Sequence, residues 1–213
     1  MIKAVIFDLD NTLIPWLDEF DNITKKCMQD NNLPTDAKTF ALFLSAMKGY
    51  ENTHTRFNEE EMSRYFAEYM NLEVPNDFVN QWTLRLYDAI PKKKDQELED
   101  LLECLSKKYT IFVITNWFTK QQVARLKNYN ILKYFNNVYG CDNYDRKPYS
   151  EMMNLILKQY RKEEIVYVGD TYEIDIKFAT NLGVYSYYIT NKEKKKTRKY
   201  QTISNIYELK KYL

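Results

Sequence analysis

Two aspartates, Asp8 and Asp10, follow the apolar run Ile2–Phe7 at the start of the chain. Carboxylates two residues apart can divide the work of group transfer, because one can act as a nucleophile while the other donates or accepts a proton. An isolated Asp-x-Asp is also common in surface turns, where both acids are solvated. The meaning of the pair therefore depends on the other polar groups of the chain.

Three further polar groups follow in sequence. Thr115 and Asn116 end a second apolar run, Lys147 precedes a helical pattern, and Asp170 and Asp175 follow a run that ends in glycine. Taken singly, each has an ordinary explanation: a threonine caps a helix, a lysine is a solvated charge, and paired acids cap a helix or form an ion pair. Three of the four groups, however, lie where predicted strands end, and that coincidence favours a shared site.

The apolar runs predict the elements that would position these groups. Most are rich in Val and Ile without strict alternation, which is typical of parallel strands buried on both faces. The predicted strands are Ile2–Phe7, Thr110–Ile114, Asn137–Tyr139, Ile165–Val168 and Val184–Ile189. Helical patterns separate them from residue 95 onward, so we predict an α/β fold with a doubly wound, Rossmann-like parallel sheet. Ligands bind at the carboxyl ends of the strands in such sheets.

The segment between the first two predicted strands is too long for a simple crossover. Phe7 and Thr110 lie about a hundred residues apart, whereas a βαβ unit needs only about 30 residues in all. Four amphipathic stripes fill the surplus, and the first of them runs from Trp16 to Cys27. We therefore predict an α/β catalytic core of residues 1–14 and 91–213 and an inserted helical domain of residues 15–90.

The four polar groups, in this order, resemble the motifs of the haloacid dehalogenase-like superfamily of aspartyl-phosphate hydrolases. The resemblance covers the whole chain. The helical insert is similar to that family's type 1 cap, and the closing segment 203–209 is similar to its terminal strand and helix. The resemblance implies a phosphatase that acts on a small phosphorylated metabolite, and it leaves the identity of that metabolite open.

The resemblance also implies a role for each motif residue. Asp8 would be the nucleophile, and Asp10 would be the general acid and then the general base. Lys147 would hold the nucleophile and the phosphoryl charge in place. Thr115 and the backbone amide of Asn116 would bind phosphoryl oxygens.

A divalent cation completes the implied site, since a carboxylate that attacks a phosphate meets electrostatic repulsion. Asp8, the backbone carbonyl of Asp10, and Asp170 form an all-oxygen ligand set that suits Mg²⁺. Asp175 would contact a metal-bound water or the lysine, or it would have a purely structural role.

Other activities remain open at this point. Sugar-phosphate mutases of the same superfamily share these acids. A 2-haloacid dehalogenase is less favoured, because halide needs no proton and such relatives lack the second aspartate, Asp10 here. A non-catalytic binding relative is disfavoured because the nucleophile and the metal acid are both present.

Composition excludes several classes of protein. Lys plus Arg is 31 against 30 for Asp plus Glu, a net charge of +1, which argues against nucleic acid as a partner. No apolar run approaches the roughly 18 residues that span a bilayer, so no membrane association is expected. Three cysteines in no close-spaced pair fit neither a disulfide framework nor a zinc site, and they favour a cytoplasmic location. The sequence carries no indication of oligomeric state.

A few isolated residues give weaker signals. His54 is the only histidine, and we expect it to be a solvated loop residue, since one histidine cannot form a multi-histidine metal site. Trp16 and Trp117 follow the first two motifs and either pack in a core or line the site. The lysine-rich run 191–199 is predicted to be a solvated loop.

Overall fold

The computed structural model describes residues 1–192 and 194–213, and the chain forms two compact units. Unit 1 comprises Met1–Trp16 and Lys92–Leu213, and unit 2 comprises Leu17–Pro91. The chain passes from one unit to the other between residues 16 and 17 and again between residues 91 and 92. Among the described residues, no helix has the length and apolar character needed to cross a membrane.

Unit 1 is built around a parallel sheet of six strands. The strands are β1 (Ala4–Phe7), β2 (Thr110–Ile114), β3 (Asn137–Tyr139), β4 (Ile165–Gly169), β5 (Tyr185–Ile189) and β6 (Tyr200–Ile203). They lie in the order β3-β2-β1-β4-β5-β6, so β1 is central and the connections leave it in two directions. This doubly wound α/β sheet confirms the predicted fold class.

Four helices of unit 1 connect or follow these strands. They are α5 (Gln96–Ser106), α6 (Thr119–Asn128), α7 (Glu151–Leu157) and α8 (Lys177–Asn181). The leucine stripe of α5 is buried together with Val5, Phe7 and Val113 of the sheet, as the spacing of its leucines predicts. Shorter helical turns lie at 132–134, 162–164, 172–176 and 206–211.

The sixth strand was not among the five predicted ones. Only its last residue, Ile203, falls in the closing segment that resembles a terminal strand and helix. β6 lies at the edge of the sheet and pairs with β5 alone, and its residues alternate between buried and half-buried positions. An edge strand of four residues has no continuous apolar run, which explains why the sequence signal is weak.

Unit 2 consists of four helices. They are α1 (Phe20–Asp30), α2 (Ala37–Thr53), α3 (Glu59–Met70) and α4 (Phe78–Asp88), in agreement with the four predicted stripes. Their core is aromatic, because the Phe43 ring packs edge-on against Phe66 and Trp82, with centroids 4.9 and 5.3 Å away. The buried indole Nε1 of Trp82 donates to the Thr24 hydroxyl at 2.9 Å, so its polar atom is satisfied.

Two aromatic side chains depart from the prediction. Trp16 does not start the first helix stripe, because α1 begins at Phe20 and Trp16 belongs to unit 1. The Asn11 side chain accepts a hydrogen bond from the Trp16 backbone at 3.1 Å and holds the chain in a turn. The expectation of a solvated His54 is wrong as well: it is half-buried and its ring stacks on Tyr50 at 4.0 Å.

Candidate active site

The carboxyl ends of three neighbouring strands bring the motif residues together. Phe7 of β1 lies opposite Val113 of β2 and Val168 of β4, so the residues that follow these strands meet at one edge of the sheet. The Asp8 amide continues the ladder by donating to the Val168 carbonyl at 2.9 Å. Thr115 and Asp170 leave the sheet at the same edge, as the sequence predicts for the site.

Lys147 links two of the predicted acids in the interior of unit 1. Its Nζ lies 2.6 Å from an oxygen of Asp8, 2.6 Å from an oxygen of Asp175 and 3.2 Å from the Tyr167 hydroxyl. The Tyr167 hydroxyl in turn donates to Asp175 at 3.1 Å. Lys147 is only 1% exposed, so its charge is compensated by these neighbours and not by water. We refer to Asp8, Lys147, Tyr167, Asp170 and Asp175 as the Asp8 cluster.

Asn116 fixes the backbone that carries Lys147. Its side-chain oxygen accepts from the Lys147 amide at 2.8 Å, and its side-chain nitrogen donates to the Lys147 carbonyl at 3.2 Å. Lys147 precedes α7 and lies in an irregular segment, so these two bonds replace the backbone pairing that a helix or strand would supply. The Asn116 side chain therefore has a contact that the sequence did not predict.

Asp175 is held by the turn that follows β4. The Thr171 amide donates to its second carboxylate oxygen at 3.0 Å. Gly169 makes room for this arrangement, because a Cβ at that position would lie 2.4 Å from the Cβ of Asp175. Of the two contacts that the resemblance implies for Asp175, the structure shows the one with the lysine.

The Asp8 cluster holds more negative than positive charge. Burial, together with the nearby Asp175, raises the pKa of Asp8 above its usual value. Burial and Asp175 also raise the pKa of Asp170. Burial alone would lower the pKa of Lys147, but Asp175 and Asp8 outweigh that effect and hold it well above its usual value. Three carboxylates around one ammonium group favour the entry of a further cation.

The carboxylates of Asp8, Asp170 and Asp175 form a possible metal site. One oxygen from each lies within 4.8 Å of the others. Oxygen donors of this kind fit a hard divalent cation such as Mg²⁺. Asp8 and Asp170 belong to the predicted ligand set, whereas Asp175 is an additional acid, and Asp10 was expected to contribute only its backbone carbonyl.

The Asp10 side chain lies in a different environment. Its carboxylate forms an ion pair with Arg125 and accepts from the Gln122 amide at 2.7 Å. The same amide nitrogen donates to the Thr115 hydroxyl at 2.8 Å. We refer to Asp10, Thr115, Gln122 and Arg125 as the Asp10 cluster.

The sequence did not predict Gln122, Arg125 or Tyr167. Gln122 and Arg125 lie three residues apart on α6 and are both buried, so they share the face that also buries Leu126. The sequence did carry one signal for Gln122 and Arg125: their helical spacing places them on the same face of α6 as the apolar Leu126. Tyr167 offers none, since a tyrosine inside a strand is ordinary.

The fold and the site together define a class of enzyme. The chain belongs to the haloacid dehalogenase-like hydrolases, whose family model matches residues 5–189. It is therefore an enzyme of that hydrolase family, as the motifs predict.

Three known proteins show the range of the similarity. The chain is 26% identical to glyceraldehyde 3-phosphate phosphatase of Methanocaldococcus jannaschii, over 86% of this chain and 83% of that protein. It is also 26% identical to the pyrimidine 5'-nucleotidase PynA of Streptococcus pneumoniae, over 85% and 81%. The structure of the HAD-hydrolase YfnB of Bacillus subtilis, bound to magnesium, has the same fold, with a TM-score of 0.75, 18% identity, and coverage of 100% of this chain and 98% of that one.

Proposed function

We propose that the protein is a Mg²⁺-dependent phosphatase that hydrolyses a small phosphomonoester through an aspartyl-phosphate on Asp8. The observation that carries the proposal is the buried carboxylate of Asp8 at the end of β1, 2.6 Å from Lys147 and close to two further acids. The names of the two relatives, a sugar-phosphate phosphatase and a nucleotidase, support hydrolysis of a phosphate ester.

In the first step, a carboxylate oxygen of Asp8 attacks phosphorus and the bond from phosphorus to the ester oxygen breaks. Asp10 in its acid form gives a proton to that departing oxygen, so an alcohol leaves. In the second step, Asp10 takes a proton from water, and the resulting hydroxide attacks phosphorus. The bond to Asp8 then breaks, which restores its carboxylate and releases inorganic phosphate.

The remaining residues bind and neutralise charge. Lys147 stabilises the negative charge that collects around Asp8, and the Thr115 hydroxyl and the Asn116 amide bind phosphoryl oxygens. Magnesium, held by Asp8, the Asp10 carbonyl and Asp170, would supply the positive charge that a dianionic phosphate needs near a carboxylate. The magnesium bound to YfnB supports this choice of ion. We assign Asp175 to positioning Lys147, because their ion pair is buried.

Residues 15–90 are proposed to act as the cap that selects the substrate. The names of the two relatives give different phosphorylated substrates. The similarity therefore supports a small phosphorylated metabolite as the class of substrate, and it favours no particular metabolite. We also propose a cytoplasmic location, supported by three cysteines that form no disulfide among the described residues.

The experiment that tests this function measures phosphate release from a panel of small phosphomonoesters, with Mg²⁺ or with EDTA. We expect release that depends on Mg²⁺ and falls by about 10⁴-fold or more in Asp8→Asn, since removing a nucleophile leaves only residual catalysis. Lys107→Met is the control, because this exposed lysine pairs with Glu103 and lies before β2 begins, whereas the motif residue Thr115 follows that strand. Release that is equal with EDTA, or unchanged in Asp8→Asn, would contradict the proposal.

A further inference from the structure

We propose that Gln122 and Arg125 are positioning residues for the Asp10 carboxylate and the Thr115 hydroxyl. The inference rests on the proposed function, in which Asp10 transfers protons and Thr115 binds the phosphoryl group. Neither Gln122 nor Arg125 belongs to the motifs described above. The argument comes from the hydrogen bonds that join these four side chains.

The amide nitrogen of Gln122 connects the two functional groups. It donates to Asp10 at 2.7 Å and to the Thr115 hydroxyl oxygen at 2.8 Å. A side-chain amide carries two hydrogens on its nitrogen, so these contacts use both of them. One planar group thereby sets the separation between the proton-transfer residue and the phosphoryl-binding residue.

Arg125 determines which way the Gln122 amide points. One of its terminal nitrogens donates to the Gln122 oxygen at 2.8 Å and also contacts Asp10. With the amide reversed, the Gln122 oxygen would face the Asp10 carboxylate and its NH₂ group would face the guanidinium. Both encounters are repulsive, because acceptors would meet acceptors and donors would meet donors. The guanidinium therefore selects the orientation that serves Asp10 and Thr115.

This orientation has a consequence for Thr115. Its oxygen is the acceptor in the bond from Gln122, so its own hydrogen is directed elsewhere. Thr115 is completely buried. The bond from Gln122 occupies one lone pair of the hydroxyl oxygen and leaves its hydrogen for donation, which is the role that binding a phosphoryl oxygen requires.

Arg125 is itself held in place from a second side. Its other terminal nitrogen donates to the Pro15 carbonyl at 2.6 Å, and the guanidinium lies over the Trp16 ring, 5.2 Å from the centroid. Its side chain is 8% exposed. A lysine could keep the charge but could not reach the acid, the amide and the carbonyl at once, since it lacks the planar fork.

The alternative is that this polar cluster only stabilises the fold, and the leaving group separates the two explanations. The value of kcat/KM reports phosphoryl transfer to Asp8, in which Asp10 protonates the departing oxygen. The alcohol of an alkyl ester such as glycerol phosphate needs that proton in order to leave. The leaving group of p-nitrophenyl phosphate, p-nitrophenolate, departs without it. A purely structural defect would lower the rates for both esters by the same factor. Misplacing Thr115 adds a loss that both esters share, so the difference between the esters reports Asp10.

We expect Arg125→Met and Gln122→Met to lower kcat/KM for glycerol phosphate by about 10- to 100-fold, because misplacing a proton-transfer group carries a cost of this order. For p-nitrophenyl phosphate the loss is expected to be at least several-fold smaller. Arg125→Lys should lie between wild type and Arg125→Met. Lys127→Met is the control, because it removes a positive charge from an exposed position on the same helix, and it should leave both rates unchanged.

A double-mutant cycle supplies a readout besides activity. Asp10→Asn and Arg125→Met, alone and combined, should shift the urea midpoint non-additively, since each removes the partner of the other. Additive shifts would overturn the inference, and so would an equal loss on both esters. If wild type hydrolyses neither ester nor any other in the panel, the proposed function fails and this inference fails with it. If wild type is active and the variants lose the same factor on both esters, this inference fails and the proposed function stands.

Discussion

The Asp8 cluster and the Asp10 cluster begin two residues apart in the chain, yet they differ in the balance of positive and negative charge. In the first, Asp8 and Asp175 contact the single ammonium group of Lys147, and Asp170 places an oxygen within 4.8 Å of both carboxylates. In the second, Asp10 is matched by one guanidinium and by the Gln122 amide. The Asp8 cluster is therefore short of positive charge, whereas the Asp10 cluster is balanced.

Charge balance thus separates the proposed chemical roles of two similar side chains. A buried carboxylate in a negative surrounding is a place where a cation and a phosphoryl group can be bound together. A carboxylate that is half-exposed and held by donors is suited to exchange protons at a fixed position. Burial also differs, since the Asp8 side chain is 9% exposed and the Asp10 side chain is 23% exposed.

The largest effect on stability is expected from removing the cation of the Asp8 cluster. Lys147→Met leaves Asp8 and Asp175 buried without a counter-charge, and we expect a loss of about 3–5 kcal/mol in the free energy of unfolding. Arg125→Met should cost less, about 1.5–3 kcal/mol, because water reaches its partner Asp10. Urea unfolding of the metal-free protein measures both. Equal losses would show that the two clusters do not differ as described.

Magnesium should act on one cluster and not on the other. A cation bound only to the folded state at 100 times its dissociation constant stabilises that state by about 2.7 kcal/mol, so it raises the midpoint of thermal unfolding. We expect Asp170→Asn to lose this rise, because Asp170 supplies one of the three clustered oxygens. Gln122→Met should retain the rise. Retention in Asp170→Asn, or loss in Gln122→Met, would contradict the assignment of the metal to the Asp8 cluster.

The smallest effect on stability is expected at Glu164, a carboxylate at the opposite end of the sheet. Its pKa is lowered, whereas the pKa of Asp8 is raised. The Lys3 side chain donates to Glu164 at 2.7 Å, and this contact, with bonds from Arg161, lowers the pKa of Glu164 to about 2. A lowered pKa contributes stability above the ordinary value near 4.3, and that stability is lost as pH falls toward 2.

Glu164→Gln should therefore be less stable than wild type at pH 6, and the difference should shrink as pH is lowered through 4 toward 2. Thermal unfolding across this range measures the difference. A difference that does not change with pH would show that Glu164 acts through its shape and hydrogen bonds and not through its charge.

The sequence predicted the features that depend on regular spacing. The four helices of unit 2 follow from apolar periodicity, because burial on one face of a helix repeats at helical spacing. Five of the strands follow from short apolar runs, because strands buried on both faces are apolar throughout. The residues at the strand ends follow from the same pattern, since parallel strands bring their carboxyl ends to one edge. Asp8, Thr115 and Asp170 lie at that edge, and their roles stay predictions.

Features that depend on contacts between distant segments were missed. Gln122 and Arg125 contact Asp10 only because α6 packs beside the loop that carries Asp10, more than a hundred residues earlier in the chain. β6 has one neighbour and no apolar run of its own. Trp16 looked like part of a helix stripe, but the turn held by Asn11 ends before α1 begins. In each of these cases tertiary packing outweighs the local pattern.

The central claim is that Asp8 carries the phosphoryl group during turnover. The most direct measurement mixes the protein with a radiolabelled phosphomonoester and Mg²⁺, quenches with acid within the first turnovers, and maps the label on peptides. We predict an acyl phosphate that hydroxylamine removes, located on the peptide that contains Asp8 and absent from Asp8→Asn. Release of phosphate with no label on the protein at any time, or a label on another residue, would contradict the account.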